Sequence, residues 1–79
     1  RMDDFSTSER KKMFDILRKK GYDFSTNPEF IEIRKSYCEV EIVKFEDDWF
    51  TIIYIDKWGS HEYYICDEFE EVESYLNNL

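Results

Sequence analysis

The chain predicts an α+β fold, an antiparallel sheet of three to four strands with a helix at each end, in the order α-β-β-β-β-α. Three observations carry this. A capped, helically spaced apolar segment precedes Gly21. Alternating or β-branched runs separated by turn residues fill the stretch from Cys38 to Cys66, and a second helically spaced segment follows it. At 79 residues the chain is a single domain, residues 1–79, near the lower limit for unaided folding.

Each element follows in order. Ser6-Thr7-Ser8-Glu9 fits a capping box, Met13, Phe14, Ile16 and Leu17 form an apolar face, and Arg18, Lys19 and Lys20 suit the negative end of a helix dipole. Gly21 closes a helix over residues 7–20. Tyr22 to Asn27 reads as a connection ending at Asn27-Pro28. Phe30-Ile31-Glu32-Ile33-Arg34 alternates like a strand, although Pro28 could instead open a short helix over the same stretch, Pro28–Lys35. Cys38, Val40 and Ile42 alternate with Glu39 and Glu41, Trp49 to Ile55 is a β-branched and aromatic run, and His61 to Cys66 is a further strand. Asp47-Asp48 and Lys57-Trp58-Gly59-Ser60 supply the turns. Asp67 reads as the cap of a final helix over residues 68–78, with Phe69, Val72, Leu76 and Leu79 on one side.

Parity gives an expectation for the two sheet faces. With Phe45 opposite Phe50 and Tyr54 opposite Tyr63, one face carries Cys38, Val40, Ile42, Ile53, Ile55, Tyr64 and Cys66. The other then carries Val43, Phe45, Phe50, Ile52, Tyr54, Tyr63 and Ile65, edged by Glu39, Glu41, Asp56 and His61. Either both helices cover one face and leave the other for a partner, or one helix covers each; the pattern leaves both arrangements open.

Composition removes several function classes. Two glycines cannot build a phosphate-cradling loop or a dinucleotide fingerprint. His61, the one histidine, lies five residues from Cys66 on the same strand, so the two point to opposite faces and make a poor nucleophilic pair. Cys38 and Cys66 read as small apolar fillers, and with His61 they lack a fourth zinc ligand; no cofactor and no metal is expected, nor is catalysis. No apolar run approaches the roughly 20 residues of a membrane span. Met2 reads as the natural start without a signal peptide, and two cysteines suit a reduced, cytoplasmic chain.

The strongest functional signal is charge. Residues 1–37 carry nine Lys/Arg against seven Asp/Glu, whereas residues 38–79 carry two against twelve, a local net of −10 within the overall −8. Such a field repels phosphate and anionic membrane, so direct nucleic-acid and membrane binding are not expected, and it attracts basic proteins. Helix dipoles and edge protection account for about half of these acids. They do not explain why so few lysines are interspersed. Glu39 and Glu41 sit about 7 Å apart along a strand, comparable to successive backbone phosphates. With them, Asp47, Asp48, Asp56, Glu62, Glu68, Glu70, Glu71 and Glu73 form the candidate partner-binding set, with Tyr54, Trp58 and Tyr63 as aromatic anchors.

In size, charge and helix-sheet-helix order the chain resembles the small acidic anti-CRISPR proteins of phages and the acidic immunity proteins that neutralise nuclease toxins. The resemblance implies an inhibitor that docks on the basic nucleic-acid-binding surface of an enzyme, with a basic protein as partner. The alternative is a small accessory or homodimeric module whose acidity serves solubility, with a self-contact through Phe45, Phe50 and Ile52.

Overall fold

Helix α1 spans Thr7–Lys20 in the computed structural model, which describes all 79 residues. Its start is the expected box: Ser6 Oγ accepts from the Glu9 amide at 3.1 Å and Glu9 Oε1 accepts from the Ser6 amide at 2.8 Å. Its end is Gly21 in the left-handed region, φ 70°, where a side chain would be strained. Helix α2 spans Phe69–Asn77. Its cap is Glu68 rather than Asp67, because the Glu71 carboxylate accepts from the amides of both Asp67 (2.8 Å) and Glu68 (3.0 Å) and so fixes the box one residue later.

Between the helices the sheet has more strands than the three to four expected. Strands β2 (Asp23–Thr26), β3 (Phe30–Arg34), β4 (Cys38–Phe45), β5 (Trp49–Asp56) and β6 (His61–Cys66) form an antiparallel meander in chain order. A two-residue strand β1, Met2–Asp3, pairs with the far end of β4. Strand β2 carries only one large apolar residue, Phe24, so periodicity could not reveal it. Phe24 stacks on Phe14 of α1, and Arg34 bonds Asp23 and Ser25 across the pair. The Asn27–Phe30 hairpin places Pro28 in its two-residue turn, which leaves Phe30–Arg34 a strand as the alternation suggested.

Register corrects the expected faces. Phe45 pairs with Trp49, not Phe50, and Tyr63 pairs with Ile53, not Tyr54. The β4–β5 connection holds three residues, Glu46–Asp48, with Asp47 and Asp48 both at positive φ (70° and 57°). Ending the turn one residue earlier flips every side chain of β5 relative to the expectation. The inner face therefore carries Val40, Ile42, Phe50 and Ile52, each at most 1% exposed, with Ile31 and Ile33 of β3. Both helices cover this same face, since Met13, Leu17, Val72 and Leu76 join that single cluster. Phe5 completes it, stacked 6.2 Å from the Phe50 ring.

Candidate protein-binding surface

The outer face follows from the same register. Its cross-strand rows read Phe45–Trp49, then Phe30–Val43–Thr51–Ile65, then Glu32–Glu41–Ile53–Tyr63, then Arg34–Glu39–Ile55–His61. Phe30, Val43, Phe45, Trp49, Ile53 and Ile55 are all half-buried, yet none belongs to or packs against the core cluster. They shield one another sideways, as in the Phe45–Trp49 stack at 4.2 Å. Tyr63 and Ile65, on the free edge strand β6, are more than 60% exposed.

Of the expected binding residues, this face gathers three: Glu39, Glu41 and Tyr63. Tyr54 lies on the inner face, half-buried against the core, so Tyr54 and Tyr63 are not one anchor pair. Asp47 and Asp48 sit in the β4–β5 turn, at the opposite end of β4 from Glu39. Asp56 is occupied locally, accepting from the amides of Trp58 (2.9 Å) and Ser60 (3.0 Å). Trp58, at the tip of that turn, is 79% exposed beneath the Lys57 ammonium at 4.5 Å. Glu62 lies on the inner side of β6 and accepts from the Tyr64 hydroxyl at 2.7 Å. Glu68 and Glu71 cap α2, whereas Glu70 and Glu73 of that helix make no hydrogen bond or ion pair. The thirteen residues thus spread over both faces and both ends of the sheet.

The charge layout is uneven. Among the twelve carboxylates after residue 37, only Glu46 (with Arg1, 3.3 Å) and Asp48 (with Lys44, 3.4 Å) are ion-paired. The first half is better matched: Glu9 pairs with Lys44, Asp15 with Lys11, and both Asp23 and Glu32 with Arg34. Lys44 is the one cation on the inner face, its side chain 8% exposed and 2.9 Å from Glu9. Burial pulls its pKa down, but the hydrogen bond and charge of Glu9, aided by Asp48, outweigh this and raise it. The hydrogen bonds of Asp23 and then Glu32 raise Arg34 likewise.

Nucleophile and metal chemistry find no such gathering. Cys38 stands opposite Asp56 and Cys66 opposite Phe50, which separates the thiols by about 20 Å along the sheet. Both are buried and free, and burial, followed by the charges of Glu71 and Asp67, pushes the Cys66 thiol up, away from thiolate reactivity. His61 lies on the outer face, its Nδ1 2.8 Å from the Gly59 carbonyl. No helix is long and apolar enough to cross a membrane. The expected self-contact through Phe45, Phe50 and Ile52 does not exist as one patch, because Phe50 and Ile52 lie under the helices.

Sequence reasoning anticipated a second apolar face but placed Phe50, Ile52 and Tyr54 of β5 on it, and missed that Trp49, Ile53 and Ile55 make the outer side of that strand apolar as well. The signal was present: Trp49 to Ile55 lacks the polar alternation of a half-solvated strand and reads as one covered on both sides. No protein-family model, curated protein or solved structure matches the chain.

Proposed function

We propose that this protein is a non-catalytic acidic binding module, an inhibitor that docks on the basic nucleic-acid-binding surface of a nuclease or other nucleic-acid enzyme. One observation carries the reading: ten of the twelve carboxylates after residue 37 have no cationic neighbour within ion-pair distance. A surface built only for solubility mixes signs and pairs them; this one leaves its anionic field unspent. Arginine forks that otherwise hold phosphate suit such carboxylates, and opposite charge would steer the encounter. The resemblance to phage-encoded anti-CRISPR proteins belongs to this reading and to no finer one.

Binding to a panel of basic nucleic-acid enzymes at low and at physiological salt tests it. Saturable association that weakens at least tenfold with added salt is expected for at least one target. Absence of affinity for every target at low salt overturns the reading. The rival, a homodimeric accessory module, is favoured by the uncovered apolar outer face and predicts a concentration-dependent dimer in sedimentation.

A further inference from the structure

The outer face of the sheet is apolar at one end and acidic at the other, and nothing in the chain covers it. At the β1 end stand Phe45, Trp49 and Val43; at the β3–β4 turn end stand Glu39 and Glu41. Four carboxylates, Asp23, Glu32, Glu39 and Glu41, share that end with one guanidinium, Arg34, and with Lys35 and Lys57, which border Glu39 but form no ion pair. Arg34 spends itself on Asp23 (3.1 Å) and Glu32 (2.9 Å), leaving Glu39 and Glu41 without a partner. Glu41 stands directly opposite Glu32 across the β3–β4 pair, where like charges disfavour each other. A sheet covered on one side only would place polar residues along the other side of β5, yet of its four outward positions only Thr51 is polar, and Trp49, Ile53 and Ile55 occupy the rest.

What can lie on such a face is limited by backbone chemistry. An extended or irregular segment pressed on apolar side chains would strand its N–H and C=O groups, so the cover must be a helix or another sheet. A second copy's sheet brings a second set of Glu39 and Glu41 and a second net charge of −8. A second copy's basic helix α1 has its own apolar residues, Met13 and Leu17, buried in its own core. Charge therefore favours a helix from a different chain.

Resting on the acidic-docking reading above, we propose that the outer face seats an amphipathic helix of the partner protein, apolar over Phe45, Trp49 and Val43 and carrying Arg or Lys where it passes Glu41 and Glu39. Phe45 to Glu39 spans about 20 Å along β4, the length of roughly 13 helical residues. The docked helix makes the fold three-layered, helix–sheet–helix, and supplies ion-pair partners to Glu39 and Glu41, which have none within the chain. The target is thus gripped through a basic helix, not only through loops that hold phosphate.

The test uses a synthetic 16-residue helical peptide with a leucine stripe and arginines in its last turn on that stripe, and a control with those arginines replaced by glutamate. Binding is followed by fluorescence anisotropy and by backbone amide shifts of the whole protein. The arginine peptide is expected to bind one-to-one, with shifts concentrated on Val43, Thr51, Ile53 and Tyr63. The glutamate peptide is expected to bind at least tenfold more weakly. Glu39→Lys/Glu41→Lys is expected to cost the arginine peptide a similar factor, and Ile65→Asp a smaller one, with thermal unfolding unchanged because all three positions lie outside the core. No binding of the arginine peptide at about 100 μM, equal binding of both peptides, shifts confined to the helices, or a stable homodimer closed over this face overturns the proposal. The two levels separate cleanly. If a basic enzyme is bound and only Glu70→Lys/Glu73→Lys weakens it, the helix-seating inference fails and the acidic-docking reading stands. If the arginine peptide binds but no basic enzyme does, the reverse holds.

Discussion

The two faces of the sheet are built from the same strands by the same alternation, and they end in opposite states. On the inner face Val40, Ile42, Phe50 and Ile52 are sealed beneath two helices; on the outer face Val43, Trp49, Ile53 and Ile55 differ little in chemistry but meet no second layer. Apolar character alone therefore does not decide which side becomes the core. The helices settle it: α1 and α2 pack against one another, with the Tyr22 hydroxyl donating to the Leu79 carbonyl at 2.6 Å, so they share one side. The inner face holds its fold by burial, whereas the outer face keeps its apolar surface available for contact.

Stability measurements sharpen this comparison. The largest effect is expected for Phe50→Ala, which empties a site stacked on Phe5 and in edge contact with Phe69 and should cost about 3–5 kcal/mol in urea unfolding. The matched outer-face change Ile55→Ala should cost under about 1 kcal/mol, because its side chain borders solvent rather than the core. Equal costs would mean that the outer face is a second core. Next comes Lys44→Ala, which strips the half-sealed Glu9 carboxylate of its cation and ties α1 less tightly to β4; about 2 kcal/mol is expected. A double-mutant cycle with Glu9→Gln should return a coupling of about 1 kcal/mol or more.

Alkaline pH probes the inner face in another way. Burial, with the neighbouring Tyr64 and Cys38 groups, pushes the Tyr75 hydroxyl up from 10.0 to about 12, and the Lys44 pKa is likewise raised from 10.5. Both folded values lie above the ordinary ones, so the stability these groups contribute is whole below pH 10 and is lost as pH climbs through them. Phenolate absorbance should show one tyrosine ionising only near pH 12, together with loss of helical dichroism, and Tyr75→Phe should remove that late step. The smallest effects lie in the connections. Gly21→Ala should cost about 1 kcal/mol, because its φ of 70° suits glycine, and Asp47→Gly at the same φ should stabilise by about 0.5 kcal/mol.

Much of this was legible beforehand, for identifiable reasons. The Ser6–Glu9 box and Gly21 mark α1 because helix ends leave backbone groups that particular side chains satisfy locally. Strands β3 to β6 announce themselves by alternation or β-branching. Strand β2 does not, since it depends on Phe24 meeting Phe14 and on Arg34 reaching across, contacts between residues far apart in the chain. At the site, parity alone puts Glu39 and Glu41 on one face. Their company on β5 depends on a turn of three residues rather than four, which brought Ile53 and Ile55 beside them and sent Tyr54 to the other side, while Tyr63 of β6 stays on their face as expected.

Sequence by itself determined the α+β class, the two helices, the strands from Cys38 onward and the gathering of negative charge after residue 37, because caps, periodicity and composition are local properties; over Phe30–Arg34 it left a short helix as the alternative to the strand. Only the tertiary structure decided which apolar face became the core, which carboxylates lack a cation and where an uncovered apolar surface adjoins them. Those outcomes depend on register and on where two helices pack, and a one-residue change in a turn is enough to reverse them.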